Sequence, residues 1–460
     1  MTHQPKDNIL SIILAAGKGT RMQSSLPKVL HKIGGRAMVN HVIAGGQAAG
    51  SKHHVVVVGD QAEQVAQAIS AEHENIQIFE QHQQLGTAHA VLSTRQAIES
   101  FHGTILILYG DTPLIQPQTL QRLIAKLDEG NDLAVLGFEA ADPTGYGRLL
   151  TNADQTDLIA IREHKDASAN ELKVNLCNSG VFVFRSEHLL GLLDRVENNN
   201  AKSEYYLTDV VEIAKADGLR TGVLICPEQE VLGVNSRAQL AVAENVLQRH
   251  LRQQIMENGV TLIAPETVFL SYDTSIGRDT LIEPNVVFHT GVCVDENVHI
   301  RAFSYFENCH IQNNCIIGPY ARIRPESVIG SDAKVGNFVE IKKAVVDQGA
   351  KINHLTYIGD AHIGSNANVG AGTIVCNYDG FFKYHTEIGA NAFIGSNSSL
   401  VAPVKIGDGA FVGSGSVITK DVAPDALSLT RASQTEKEDW AHKFRTVQMR
   451  EKERRKSDEA

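Results

Sequence analysis

Three cations gather around a glycine-bearing turn near the start of the chain. The run is Leu14-Ala15-Ala16-Gly17-Lys18-Gly19-Thr20-Arg21-Met22, with Pro27-Lys28 close behind. Such a turn after a parallel strand lets backbone N–H groups approach a phosphate at the sheet's carboxyl edge. Arg21 and Lys28, as fixed cations beside Lys18, suit a triphosphate. The run is no Walker loop, because no Gly-Lys-Ser/Thr stands at the required distance, and Met22 occupies the third glycine position of a dinucleotide fingerprint. Asp111, in Tyr109-Gly110-Asp111, is a lone acid at a strand end, where turn formers and caps also stand. Magnesium takes only one or two protein oxygens and leaves the rest to substrate phosphates, so one Asp is sufficient in kind.

A second dense group lies far downstream: Arg322-Ile323-Arg324-Pro325, Glu340-Ile341-Lys342-Lys343 and Asn353-His354-Leu355-Thr356-Tyr357. Any one of 19 histidines is more often structural than catalytic, but His354 interrupts a repeat amid cations. Imidazole is the side chain whose proton is exchanged near neutral pH.

The elements that must carry these groups follow two rhythms. In the first half, Ile9–Leu14, Val55–Val58, Ile105–Leu108, Leu133–Phe138 and Val181–Phe184 read as buried strands. Met38–Ala49, Gln61–Ala71, Ala88–Ile98 and Pro117–Leu127 read as helices between them, which implies an α/β sandwich with a mainly parallel sheet.

The second half repeats every six residues. Apolar anchors run from Ile276 to Ile418 through Ile300, Ile323, Ile352 and Ile388, and of 23 intervals 19 are sixes. Eleven of the 24 anchors are followed directly by glycine, where composition alone gives roughly two. No α-helix or heptad has this period; a hexapeptide β-helix does, with the anchor inside and glycine expected at tight corners. A longer gap at Cys376–Glu387 interrupts the solenoid and marks a binding face, bringing Asn377, Tyr378 and Lys383. Between the halves, Arg237–Asn258 reads as one helix closed by Gly259, with Asn235 as its N-cap. The expected divisions are 1–235, a helical linker 236–258, 259–435, and a charged, solvated tail 436–460.

Length bounds the rest. At 460 residues the chain exceeds one ordinary core, and 43% hydrophobic with 21% charged residues is a globular composition. A net charge of -11 argues against nucleic acid as a partner. Six cysteines without CxxC spacing read as reduced thiols. No apolar run reaches membrane-span length, and Met1–Asn8 lacks a signal-peptide profile, so a cytoplasmic protein without membrane association is expected.

Taken together, the loop at Leu14–Met22, Leu26-Pro27-Lys28, Gln81, Gln84, Gly86-Thr87, Tyr109-Gly110-Asp111, Gly145-Tyr146-Gly147-Arg148, Glu163-His164-Lys165-Asp166 and Asn178-Ser179-Gly180 resemble the sugar-1-phosphate nucleotidylyltransferases. Joined to the hexapeptide half, residues 8 to 435 resemble the bacterial family that unites uridylyl transfer to N-acetylglucosamine-1-phosphate with N-acetylation of glucosamine-1-phosphate. The resemblance implies a Rossmann-like α/β nucleotidylyltransferase domain followed by a left-handed parallel β-helix. It also implies UTP and acetyl-coenzyme A as co-substrates, Mg2+ as cofactor, a homotrimer, and a product feeding peptidoglycan and lipopolysaccharide synthesis.

Residue by residue, the resemblance places Leu14, Ala15, Ala16, Gly17, Gln81, Gly86 and Thr87 around uracil and ribose, with Arg21 and Lys28 balancing phosphate charge. Tyr109 and Gly110 flank Asp111 in the same site, and Asp111 with Asn235 matches the magnesium ligands. Gly147, Glu163 and Asn178 match the acetamido-sugar site. In the second half it makes His354 the general base, oriented by Glu340, and gives the sugar phosphate to Arg324, Lys342, Tyr357, Asn368 and Lys383. Ala371, Asn377, Tyr378, Ser396, Ser414 and Arg431 match the acetyl-coenzyme A site. Two positions depart from the family's pattern. Ala88 stands where relatives often carry glycine, which puts a methyl near the nucleobase pocket, and Ser414 replaces a small apolar residue.

Three rival readings meet specific residues. A nucleotidylyltransferase with a regulatory β-helix would not be expected to carry Asn353-His354 with Asn377-Tyr378; a non-enzymatic assembly subunit would not keep Asp111, Lys28 and His354. A β-helical carbonic anhydrase needs three converging histidines, and only His354 and His362 are well placed.

Overall fold

The computed structural model describes residues 8–59, 61–155 and 157–458. The expectation about a leader segment therefore falls, except for Asn8, outside the described residues. The chain divides into two compact units: Met1–Asn258 with Val268–Thr274, and Gly259–Thr267 with Ser275–Ala460. Among the described residues no helix is long and apolar enough to cross a membrane.

The first unit is built on a sheet in the order Thr221–Cys226, Leu133–Glu139, Leu176–Arg185, Thr104–Tyr109, Ile9–Ala15, His53–Val58, Ile76–Glu80. Every pairing along this path is parallel except those of Leu176–Arg185, which runs antiparallel to both neighbours. Alternation along Ile9–Ala15 explains why both faces are covered. Ile9, Ile13 and Ala15 join one apolar cluster, and Leu10, Ile12 and Leu14 join the other. The chain leaves Ile9–Ala15 toward His53–Val58 on one side, and its other neighbour is Thr104–Tyr109. Such a reversal of strand order opens a crevice at the strands' carboxyl ends. The turn carrying Gly17 and the turn carrying Asp111 both leave from that crevice.

The helices expected at Met38–Ala49 and Pro117–Leu127 are present as Met38–Ala48 and Pro117–Asp128. The one expected over Ala88–Ile98 is broken into Thr87–Leu92 and Arg95–Glu99, because the buried Thr94 hydroxyl bonds back to the Val91 carbonyl at 2.7 Å. Helix Arg237–Glu257 belongs to the first unit, where the Gln248 side chain both donates to and accepts from the Leu270 backbone. Its N-cap is Ser236, whose hydroxyl accepts from the Gln239 N–H; Asn235 does not cap it, because its side chain turns toward Lys28.

The second unit is a parallel β-helix of very short strands, gathered in a ten-stranded and a fourteen-stranded sheet whose pairings are all parallel. All the anchors from Ile276 to Ile418 are buried, so the period of six marks the inward side chains. The architecture is that of a left-handed parallel β-helix of hexapeptide repeats.

The glycines after the anchors have a different reason from the one expected. Of the eleven, only Gly318 has a left-handed φ. At most of the others a side chain would strike the next coil: a Cβ on Gly336 would sit 1.9 Å from the Asn353 carbonyl oxygen, and one on Gly370 would sit 2.6 Å from the Ile394 carbonyl oxygen. The corners themselves are left-handed at Asp279, Asn297, Asn314, Asp332 and Asn366, residues whose short polar side chains tolerate that region. Gly336→Ala, with ordinary φ but no room, should cost at least ~2 kcal/mol through backbone displacement. Thermal unfolding of the purified variant checks this.

One outward ladder holds a charge network. The His362 imidazole contacts Glu387 through Nδ1 at 2.7 Å and Asp347 through Nε2 at 2.9 Å. Partial burial opposes its charged form, but the bonds from Glu387 and Asp347 outweigh that and hold its pKa above the ordinary 6.5. For Glu387, burial is likewise outweighed by His362 and His385, and its pKa lies below the ordinary 4.5. The imidazole's contribution is full below pH 6.5 and lost as pH rises through its raised value. The carboxylate's is full above pH 4.5 and lost as pH falls through its lowered value. Stability gained here should therefore be greatest between those limits. About a third of each side chain is exposed, so the effect is on the order of 0.2–1 kcal/mol. Urea unfolding at pH 5.5 and 8.5 should show the wild type losing more than His362→Gln at the higher pH.

The tail, expected as a charged solvated segment, is helical from Trp440 to Asp458 and buries no residue.

Candidate functional sites

In the first unit a cavity of about 300 Å³ opens at the carboxyl ends of Ile9–Ala15 and Thr104–Tyr109. Its walls include Leu14, Ala15, Ala16, Gly17, Lys28, Gln81, Gly86, Thr87, Tyr109 and Asp111. Backbone bonds explain how distant segments meet. The Gly110 N–H donates to the Leu14 carbonyl at 2.9 Å, and the Val234 N–H donates to the Asp111 carbonyl at 2.9 Å. Asp111 and Asn235 are thereby placed side by side.

The Lys28 ammonium pairs with the Asp111 carboxylate and donates to the Asn235 side-chain Oδ1 at 3.0 Å. Two oxygens converging on one cation form a donor set for a hard divalent ion, which takes its remaining ligands from phosphates and water. The residues present fit Mg2+. Gly19 holds a left-handed φ with its Cα against the Lys28 stem, which shapes the turn. Lys28 is thus held by Asp111 and Asn235. Arg21 and Lys18 are exposed and carry no ion pair among the described residues.

The cavity's far wall is held by side-chain amides. Gln81 donates to the Gly86 carbonyl at 3.1 Å and lies 3.0 Å from His89 Nδ1; Gln84 donates to the Ala16 carbonyl at 2.7 Å. Gly86 has φ +122°, and a Cβ there would sit 2.5 Å from the Tyr205 backbone. The Thr87 hydroxyl accepts from the Leu207 N–H at 2.9 Å. Ala88 is fully buried in the apolar cluster with Leu14 and Ala16, so its methyl points into the core.

Gly147, Glu163 and Asn178 come together beside this cavity. The Asn178 N–H donates to the Gly147 carbonyl at 2.8 Å, and Gly147 leaves space against the Glu163 carboxylate. Burial first raises the Glu163 pKa, against Lys202 and the Thr208 hydroxyl. Asp209 is pushed up to about 6, mainly by burial and then by Glu212 and Glu163. Tyr109 lies between the two groups, its ring against Gly180 and its phenol pKa raised by burial and then by Glu163.

In the second unit, Arg324 bonds Glu340 at 2.8 Å, and Arg322 approaches the same carboxylate at 3.7 Å. Glu340 is engaged there, so its expected role of orienting His354 is corrected. Asn337 does that: its Oδ1 lies 2.5 Å from His354 Nδ1, in direct register one coil earlier. Lys342, Lys383 and Arg324 crowd together; Lys383 chiefly lowers the Lys342 pKa, with Arg324 adding to it. Such repulsion is relieved by a bound dianion. Above Gly359, where any side chain would clash, the Tyr357 hydroxyl and Asn377 amide meet, and Asn377 donates to Asp360 at 2.6 Å. Asn368 lies on the sheet of Lys351–His354, a different sheet from that of Lys342 and Tyr357.

His354, Ala371, Ser396, Ser414 and Arg431 occupy one corner of successive coils. The Gly372, Asn397 and Gly415 N–H groups donate to the carbonyls of His354, Ala371 and Ser396, and Arg431 donates to the Ser414 carbonyl at 2.7 Å. Ser414 thus bonds Arg431 through its backbone. The insertion folds as a small hairpin, with Tyr378 bridged to Lys383 and the Asp379 carboxylate accepting from the Phe381 and Phe382 N–H groups. Tyr378 is exposed, and Phe381 is 86% exposed at the tip. His354 and His362 lie on different sheets, and neither belongs to a candidate metal group among the described residues, which leaves the carbonic anhydrase reading without its converging histidines.

A nucleotidyltransferase sheet with a lysine set between Asp111 and Asn235, followed by a hexapeptide-repeat acyltransferase, is the class this fold and these sites define. Comparison agrees: residues 11–195 match the MobA-like NTP transferase domain, residues 385–420 the bacterial transferase hexapeptide, and residues 305–381 the GMPPB C-terminal domain. The relative named bifunctional protein GlmU from Azorhizobium caulinodans is 56% identical over 96% of this chain and 98% of its own. The GlmU of Xanthobacter autotrophicus is 54% identical over 97% and 99%, and that of Agrobacterium fabrum 50% over 97% and 98%. The chain belongs to the GlmU family of bifunctional proteins, and it is a uridylyltransferase and acetyltransferase in one polypeptide.

Proposed function

We propose that the second unit transfers acetyl from acetyl-coenzyme A to glucosamine-1-phosphate, and that the first then transfers uridylyl from UTP to the resulting N-acetylglucosamine-1-phosphate. The observation that carries this reading is the pairing of two unlike sites: Lys28 between Asp111 and Asn235, and His354 with its Asn337 partner beside an unbalanced cation group.

In the first site the sugar phosphate oxygen attacks the α-phosphorus of UTP, and pyrophosphate leaves. Positioning and charge compensation suffice for such a step. Lys28 faces the phosphates, the amide-held wall of Gln81 and Gly86 takes the nucleobase, and Glu163 with Asn178 takes the acetamido sugar. Asp111 and Asn235 would hold Mg2+, which would supply charge neutralisation to the phosphates.

In the second site His354 accepts the proton of the attacking amine as the N–C bond forms and the C–S bond of the thioester breaks. Asn337 holds the imidazole, while Arg324, Lys342 and Lys383 hold the sugar phosphate. The corner from Ala371 to Arg431, with Asn377 and Tyr378, seats the coenzyme.

We further infer a homotrimer in the cytoplasm. An exposed stack of Phe303, Tyr320 and Phe338 rises along one corner to Leu355, next to His354, with ring centroids 4.9 and 5.1 Å apart. Apolar surface beside a solvent-facing base supports a site completed by another subunit. Light scattering of the purified protein should give three times the 50.0 kDa chain mass. The substrate assignment is tested by the omission experiment that closes the Discussion.

A further inference from the structure

We propose that Cys293, Asp295 and His310, on the outer surface of the β-helix, form a binding site for a divalent cation of the zinc type, separate from both transfer sites. One ligand atom from each, a thiol sulfur, a carboxylate oxygen and an imidazole nitrogen, lies within 4.8 Å of the other two. The β-ladder produces this juxtaposition. Cys293 and His310 are direct partners on adjacent parallel strands, and both point outward because their strand neighbours are buried. Asp295 follows the inward anchor Val294, and its N–H donates to the Ile311 carbonyl at 2.8 Å, which fixes it beside the next coil. His310 Nε2 already lies 2.9 Å from the Asp295 carboxylate.

The donors select the ion. Tetrahedral zinc with bonds of about 2.0–2.3 Å sets its ligand atoms roughly 3.3–3.8 Å apart. Small side-chain rotations about a rigid ladder reach that spacing and leave the fourth position to water. One thiolate, one imidazole and one carboxylate suit a borderline-soft ion, whereas calcium or magnesium would find a single oxygen donor. Binding displaces the thiol proton to solvent, so affinity rises with pH.

Other outward histidines pair with carboxylates, His299 with Glu283, His362 with Asp347 and Glu387, and His385 with Glu387, but no thiol stands in those groups. They are surface ion pairs, and Cys293 is what distinguishes this one. Of the other cysteines, Cys177, Cys226, Cys309 and Cys315 are buried and Cys376 is half-buried, so a thiolate–metal signal can be assigned.

The test is titration of the full-length, untagged, reduced protein with Co2+, read by absorption. One equivalent per chain should give a thiolate-to-cobalt charge-transfer band that added Zn2+ abolishes. Cys293→Ser should remove the band and His310→Ala should weaken Co2+ binding at least tenfold. Zn2+ should raise the melting temperature of the wild type and not of Cys293→Ser, because the ion staples two coils. Circular dichroism and both transfer activities of Cys293→Ser, expected unchanged, establish that the variant is folded. Absence of the band in the wild type, or its persistence in Cys293→Ser, overturns the proposal.

Discussion

Asp111→Ala should abolish uridylyl transfer, lowering pyrophosphate release by at least ~10²–10³-fold, while acetyl transfer proceeds at the wild-type rate. Asp111 is the acidic partner of Lys28 beside Asn235, and it is the carboxylate of the proposed metal pair. Its loss removes the negative charge that a divalent ion needs and leaves the Lys28 ammonium held only by an amide. The backbone link from Val234 to the Asp111 carbonyl is untouched by the substitution, so the fold should persist. Coupled detection of pyrophosphate and of free coenzyme A thiol, in one preparation, separates the two activities.

His354→Ala should do the converse. Loss of a positioned general base costs on the order of 10²–10⁴-fold, and pyrophosphate release from N-acetylglucosamine-1-phosphate and UTP should be unchanged. His354 is exposed, and among the described residues its ring is held by one side-chain partner, Asn337. Asn337→Ala therefore should cost less, roughly tenfold, and should alter the pH profile of acetyl transfer, because it changes how the base is held without removing it. A variant of either site that silenced both activities would contradict independent chemistry in the two units.

The two halves were not equally legible in the sequence. A period of six repeated across the second half reports its own structure, because every coil must bury the same inward position; all of its anchors are indeed buried. What the period does not reveal is why glycine follows the anchor. That depends on the distance to the next coil, as at Gly336, and not on the local turn. Pairing across coils hid Asn337 in the same way. It stands seventeen residues before His354, one full coil, so the interval was available but only after the register was known.

In the first half the buried parallel strands were readable as continuous apolar runs. The hairpin of Arg148–Thr151 and Leu158–Arg162 was not, since its residues are short, mixed in polarity and partly exposed. Leu176–Arg185 is longer than its apolar core and antiparallel, because polar Asn178 and Ser179 belong to it through an irregular register against Leu133–Glu139. Asn235 shows the limit of local chemistry. A cap signal existed, but the oxygen is claimed by Lys28, 207 residues away, and the neighbouring Ser236 caps the helix.

The central claim is that one chain carries both transfers in sequence. The direct measurement supplies glucosamine-1-phosphate, acetyl-coenzyme A, UTP and magnesium to the intact protein and follows products by mass spectrometry, omitting each substrate in turn. UDP-N-acetylglucosamine should form only when all three substrates are present, with N-acetylglucosamine-1-phosphate accumulating when UTP is withheld. If the nucleotide sugar forms only when N-acetylglucosamine-1-phosphate is supplied ready-made, the corner carrying His354 does not transfer acetyl groups and the account is contradicted.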